Sequence, residues 1–398
     1  MARFEKYETK KGERHMFIIE NGVDPQTGKR QRVVRRGFKK LSDAKKAALD
    51  LEYTLGKAKL DLKNNILFKD MADEWLTVYS STDKKISTIR VRRHEIGLLN
   101  QYFGFCKLKD ITKKMYQDAL TDMKVDKQLS QNTISGIHGT ARMIFKRARA
   151  QDLIFVDPTE FAYLPKDKKT VEEIENEKIE DKYLEKTELK HFLHTALNSN
   201  YESYAMLHTL AWTGLRAGEL AALKWTDIDF EEKTIKITKT YYNGNNVTKD
   251  YQLLPPKTKG SIRIIDVEDE VLRVLKKHKV NQNKVKMQIK HEWYDENFVF
   301  GRLNGPYWGY PPFIKTIENR FRTVLKKSNI DKKLTPHTLR HTHTSLLAEA
   351  GVDLQRIMDR LGHTEDKTTT QVYLHITKDR KKEASHKFGE LMRSLENL

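Results

Sequence analysis

The chain has 398 residues, enough for two or three domains. It carries 74 Lys and Arg against 55 Asp and Glu, a formal net charge of +19 spread along its whole length, which favours a polyanionic partner and nucleic acid before others. The single cysteine, Cys106, excludes an internal disulfide and disfavours a Cys/His zinc site, while the charged opening residues and the lack of a long apolar run argue against a signal segment or a membrane span, so a cytoplasmic protein is expected.

Residues 1–62 read as a small β-plus-helix module. Strands are predicted near Arg3–Thr9, at Met16–Ile19 and at Arg32–Phe38, with a turn at Asp24–Gly28. Ser42 is placed to cap a helix carrying Ala44, Ala47, Ala48, Leu51 and Leu55. Basic residues crowd the second half of the ribbon: Lys29, Arg30, Arg32, Arg35, Arg36, Lys39 and Lys40. A β-ribbon with this charge can enter a DNA groove.

Residues 66–164 read as helical. Phe68, Met71, Ala72, Trp75, Leu76 and Tyr79 recur at helical spacing, as do Ile89, Ile96, Leu99 and Phe103 on a helix that also bears Arg90, Arg92 and Arg93. Thr112 leads into a third helix through Leu120. Ser130 opens a fourth through Ala148, with Lys146 and Arg147 on its polar side and Asp157-Pro158 as its expected stop. The apolar stripes are core. The basic faces are expected to meet phosphate, with steep salt dependence. Pro165 to Asp181, charged with both signs and nearly free of large apolar residues, reads as a linker.

Residues 182–385 read as a mainly helical domain with a small sheet. Thr187 caps one helix, and another runs through Leu207 and Leu210 to Gly214. Thr234–Thr238 alternates as a strand and Ile262–Ile265 reads as another, with the basic turn Pro255-Pro-Lys-Thr-Lys-Gly260 between them. Asn243 to Gln252 reads as a polar hairpin or loop. Thr335 followed by Pro336 starts a helix on which His337 and Arg340 lie three apart, on one face. A short helix from Asp353 stops at Gly362, with His363 at the stop and Tyr373 beyond a Thr-rich stretch. The tail, 386–398, has Phe388, Leu391, Met392 and Leu395 at helical spacing, packing either in cis or on another copy.

Arginines, histidines and one late tyrosine suit phosphoryl chemistry on a diester. Arginines clamp nonbridging oxygens with forked hydrogen bonds. A histidine moves a proton near neutral pH. A tyrosine hydroxyl can attack phosphorus and hold it as a covalent ester. No metal or other cofactor is needed where the arginines neutralise the transition state.

The order Arg216, Lys257, His337, Arg340, His363, Tyr373, with the contexts Thr213-Gly-Leu-Arg-Ala-Gly-Glu-Leu220, Pro336-His-Thr-Leu-Arg-His-Thr342 and Leu361-Gly-His363, closely resembles the tyrosine recombinase (phage integrase) family. The resemblance implies a multidomain fold: an arm-site DNA-binding module (1–62), an all-α, SAM-like core-binding domain (66–164), a linker (165–181) and a mainly α-helical (α+β) catalytic domain (182–385). It implies site-specific recombination through a 3′-phosphotyrosine and a Holliday junction, integrating or excising a prophage or conjugative transposon. In the roles it implies, Tyr373 is the nucleophile, Arg216 and Arg340 stabilise the transition state, and His337 takes the tyrosine proton. His363 bonds a nonbridging oxygen and Lys257 protonates the leaving 5′ oxygen, with Lys259 as its alternative. Arg30, Arg32, Arg35, Arg36, Lys39, Arg90, Arg92, Arg93, Lys146 and Arg147 are the candidate DNA contacts. The partners implied are double-stranded DNA with core and arm sites, a homotetramer on DNA, an excisionase and a host DNA-bending protein, with nucleoid association when bound. A Xer-type resolvase, a type IB topoisomerase and a non-catalytic DNA-binding regulator are the alternatives.

Overall fold

The computed structural model describes residues 2–9, 12–23, 30–63, 65–165, 183–256, 259–362, 367–376 and 392–393. Two compact units divide the chain, Met1–Lys168 and Lys169–Leu398.

The first unit opens with three antiparallel strands in sequential order, β1 (Arg3–Thr9), β2 (Gly12–Val23) and β3 (Arg30–Phe38). Phe17 and Ile19 alternate onto one face of β2 and are buried there, with Phe4 and Phe38 partly buried against them. Helix α1 (Leu41–Lys63) covers this face through Ala44 and Ala48, side chains small enough for close approach. The expected turn at Asp24–Gly28 lies outside the described residues.

Four helices follow: α2 (Phe68–Ser80), α3 (Ile86–Phe103), α4 (Lys113–Val125) and α5 (Gln131–Ala150). Thr112 and Ser130 are their expected caps. The Thr112 hydroxyl accepts the Met115 N–H at 3.1 Å and that of Ser130 accepts the Thr133 N–H at 3.2 Å, each contributing about 1 kcal/mol. Phe68, Phe103, Tyr116 and Phe145 meet in the core with ring centroids 5.5–6.3 Å apart. Helix α5 stops at Ala150, short of Asp157-Pro158. The Leu153 N–H folds back to the Ala148 carbonyl, and Leu153 and Ile154 enter the core, so burial ends the helix before proline does.

The second unit holds α6 (Lys186–Ser199), α7 (Tyr201–Thr213), the short α8 (Ala217–Ala222), α9 (Asp269–Ile289), α10 (Ile314–Lys327), α11 (Pro336–Glu349), α12 (Leu354–Leu361) and α13 (Lys367–Ile376). Glu185, not Thr187, is the cap of α6: its N–H donates to the Glu188 carboxylate one turn on. A small antiparallel sheet is formed by β4 (Ile228–Asp229), β5 (Thr234–Ile237) and β8 (Arg263–Asp266), in that order. The expected polar stretch Asn243 to Gln252 connects a separate hairpin, β6 (Thr240–Tyr242) with β7 (Gln252–Leu254). Leu210, Leu220, Ile235, Leu275, Phe321 and Leu339 belong to one buried core. This is the expected class, a small sheet-and-helix module, an all-helical bundle and a mainly helical α+β unit. Residues 166–181 of the expected linker and all of the tail except Met392 and Arg393 lie outside the described residues. No helix among the described residues is long and apolar enough to cross a membrane.

Candidate active site

Helix α7 is closed by Gly214, whose φ of 64° is left-handed and whose N–H bonds the Leu210 carbonyl. A Cβ at this position would lie 2.6 Å from Leu361 Cδ2 and 2.9 Å from His343 Cδ2, so space as well as conformation demands glycine. Two residues on, Arg216 stands at the entry to α8. Glu219 holds it twice: one carboxylate oxygen accepts the Arg216 backbone N–H at 3.0 Å, the other its Nη1 at 2.8 Å. Glu219 is only 4% exposed. Burial pushes its carboxyl up, but the hydrogen bond and charge of Arg263, with those of Arg216, outweigh this and hold it below the ordinary carboxylate range.

Arg340, on α11, is 1% exposed. Its Nη1 donates to the Gly214 carbonyl at 2.7 Å and its Nη2 to the Leu361 carbonyl at 2.5 Å. One guanidinium therefore bridges the turn that leads into Arg216 and the turn that leads towards His363. His337, one helical turn earlier, is exposed and sits edge-on to His341 with ring centroids 4.8 Å apart. Tyr373 lies half-buried on α13, packed against the cluster of Ala348 from α11 with Ile357 and Leu361 from α12. The structure thus ties Arg340, in the first half of α11, to the turn that leads into Arg216, while the helix of Tyr373 packs on Ala348 in the last turn of α11. His363 and Lys257 lie outside the described residues, as does the side chain of Lys259.

His343 lies one turn beyond Arg340. Its Nε2 accepts the Arg360 Nε–H at 3.1 Å, so the proton resides on Nδ1, which donates to the Ala211 carbonyl at 3.0 Å. Burial, then the charge of Arg360, push this imidazole down to about 3 and keep it neutral. Together His343 and Arg340 satisfy two carbonyls at the C-terminal end of α7 and fix where Arg216 begins. Sequence reasoning missed His343, Arg360 and Arg263. Periodicity gave no signal for Arg263, because Ile262 and Ile264 are as apolar as Ile265; only burial shows that Ile265 and Val267 point inward and that Arg263 shares their face.

The candidate DNA contacts divide by environment. Arg32 and Arg36 lie opposite Glu20 and Met16, away from the Phe17 face, whereas Arg35 lies opposite Phe17 on the α1 side. Arg32, Arg35, Arg36 and Lys39 are exposed, and the side chain of Arg30 lies outside the described residues. Arg90, Arg93 and Lys146 are exposed too. Arg92 instead turns inward, with Nη1 2.8 Å from Glu95 and 2.9 Å from Thr140 Oγ1. Arg147 pairs with Glu74 at 3.3 Å.

The sequence matches the phage integrase family over residues 182–380, an arm DNA-binding domain over 4–55 and the phage integrase N-terminal SAM-like domain over 67–124. It is 31% identical to the integrase of Staphylococcus phage L54a over 363 residues, covering 84% of this chain and 96% of that one. It is 26% identical to the ICEBs1 integrase of Bacillus subtilis over 383 residues, covering 93% and 95%. Among solved structures, the Tn1549 transposon integrase in complex with a circular intermediate DNA matches with a TM-score of 0.64 at 22% identity, over 81% of this chain and 100% of that one. A lambda integrase dimer bound to a COC' core site matches with a TM-score of 0.58 at 18% identity, over 92% and 94%. These two likenesses establish a shared fold.

Proposed function

The chain belongs to the phage integrase family and is a tyrosine recombinase, and from that premise we propose how its residues divide the work of cutting and rejoining DNA. The Tyr373 oxygen attacks the scissile phosphorus while the bond from phosphorus to the 5′ oxygen breaks, leaving a 3′-phosphotyrosyl link. The tyrosine proton passes to His337, and the leaving 5′ oxygen takes one from Lys257, or from Lys259 on the same turn. Arg216 and Arg340 neutralise the nonbridging oxygens and His363 adds a hydrogen bond to one of them. The freed 5′ hydroxyl of a partner strand then reverses the step. The observation that carries this reading is Arg340, buried yet bridging the Gly214 and Leu361 carbonyls, on the helix against which the Tyr373 cluster packs.

In this reading, residues 1–62 bind arm sites, 66–164 close on the core site and 182–385 perform the chemistry, with four copies assembling on two duplexes. An excisionase and a host DNA-bending protein set direction, and the protein works in the cytoplasm on the nucleoid. The arm DNA-binding match at 4–55 supports an integrase over a Xer-type resolvase.

The test is covalent trapping on nicked duplexes spanning the joined ends of the mobile element, in EDTA. Wild type is expected to give a protein–DNA adduct and Tyr373→Phe none, with partner exchange in the same reactions separating recombinase from topoisomerase. An adduct that survives Tyr373→Phe would assign the nucleophile elsewhere.

A further inference from the structure

The Glu219 carboxylate accepts four hydrogen bonds, and half of them come from outside the expected set. Arg263, on β8, places Nη2 3.0 Å from one Glu219 oxygen and Nη1 3.3 Å from the other. These are the oxygens that hold Arg216 at 3.0 and 2.8 Å. Arg263 is 9% exposed and sits just after the basic turn. Its Nε donates to the Arg360 carbonyl at 2.8 Å, and its Nη1 also reaches the Ser261 carbonyl at 3.1 Å. Ser261 Oγ in turn donates to the Gly362 carbonyl at 3.3 Å. The two turns are pressed together: a Cβ on Gly362 would meet the Gly260 carbonyl at 2.9 Å and Arg263 Cδ at 3.2 Å.

We propose that Arg263 is a positioning residue of the strand-cleavage site, fixing the Glu219 carboxylate that presents Arg216 and joining the lysine-bearing turn to the turn before His363. The proposal rests on the reading of Arg216, the turn lysine and His363 as catalytic. Physically, a carboxylate with two oxygens can aim a flexible arginine only if it cannot itself rotate. A planar guanidinium in a fixed fork locks it, and one ammonium cannot span Glu219 and the Arg360 carbonyl together. Arg263 touches no reacting atom in this scheme. It acts through Glu219 on the orientation of Arg216, and through the backbone on the separation of the two turns.

The experiment measures single-turnover adduct formation on the nicked duplex, with the scissile group either a phosphodiester or a methylphosphonate. The methylphosphonate lacks the nonbridging charge that an arginine clamp must neutralise. Arg263→Met is expected to slow cleavage of the phosphodiester by about 10- to 100-fold, less than the loss of a donor that itself meets the transition state and in the range of a lost supporting partner. DNA affinity should stay within about 2-fold, because no DNA contact is removed. The deficit should shrink to a few-fold on the methylphosphonate, as for Arg216→Ala, and Arg263→Lys should recover part of the rate. Because Arg263→Met strands a buried carboxylate, the double variant Glu219→Gln/Arg263→Met provides the second arm. If Arg263 acts through Glu219, adding Arg263→Met to Glu219→Gln costs less than about 3-fold more, a non-additive pair. Equal losses on both substrates with additive effects would mean a general structural role and would overturn the proposal, as would a wild-type rate in Arg263→Met. Wild type giving no adduct would instead overturn the catalytic reading on which the proposal stands.

Discussion

At the scale of single residues, three buried histidines among the described residues of the second unit constrain when it is stable. Burial pushes His343 down to about 3, and burial pushes His208 and His278 down to about 4. All three lie below the free imidazole value of about 6.5. Between these values the unfolded chain binds protons that the folded chain refuses. The stability they contribute is therefore full above about pH 6.5 and is lost as pH falls, by at most about 1.4 kcal/mol per pH unit for each histidine. Urea unfolding of the second unit should become easier by roughly 2 kcal/mol or more from pH 6.5 to 5, a window above the titration of most carboxylates. A constant midpoint across it would contradict the buried neutral state. These histidines also mark what sequence could convey. His337, Arg340 and Tyr373 stood out as candidates because their order and wording are shared with a family. His343 sits in the same helix and the same stretch of polar letters, yet it is buried and turned towards Ala211. Only packing separates a histidine aimed at solvent from one that ties two helices together.

At the scale of elements, helix α5 makes the same point with two glycines. Gly136 and Gly139 are three residues apart, and glycine in a helix interior costs about 1 kcal/mol relative to alanine. A Cβ on Gly139 meets nothing within 4 Å, so Gly139→Ala should raise stability by about 0.5–1 kcal/mol. A Cβ on Gly136 would lie 2.3 Å from Glu95 Oε1. That carboxylate cannot swing aside cheaply, because Thr140 Oγ1 donates to it at 2.5 Å and Arg92 at 2.8 Å in a buried site. Overpacking then outweighs propensity, and Gly136→Ala should lose about 1–3 kcal/mol. Paired thermal melts check the opposite signs, and a gain for both would mean that the Glu95 site is loose. The helices themselves were legible from 3.6-residue spacing and from Thr112 and Ser130 as caps. The inward face of β8 was less so: Ile264, with Ile262 just before the strand, looks like an apolar face but is exposed, while Arg263 goes in with Ile265. Hydrophobic alternation fails there because Glu219, distant in sequence, supplies the partner that makes burying a guanidinium tolerable.

At the scale of the whole molecule, a net charge of +19 says that DNA affinity will be salt-dependent without saying which cations carry it. Each phosphate neutralised on a duplex adds about 0.9 to the slope of log affinity against log salt. Exposed Arg90 and Arg93 on α3 are expected to act this way. Replacing either by alanine should lower the slope by about 0.9 and weaken binding to all sequences alike. Arg92, between them in sequence, spends its guanidinium on Glu95 and Thr140. Arg92→Ala should leave the slope unchanged and reduce the thermal stability of the first unit, since it strands the buried Glu95 carboxylate. Titrations of each variant with one duplex at four or five salt concentrations, beside a melt of each protein, separate the two roles. A slope loss in Arg92→Ala equal to that in Arg93→Ala would mean that the internal pair opens on DNA and that its charge is shared with the backbone. An unchanged slope with a lowered melting temperature would make Arg92 the internal brace that aims its two neighbours outward.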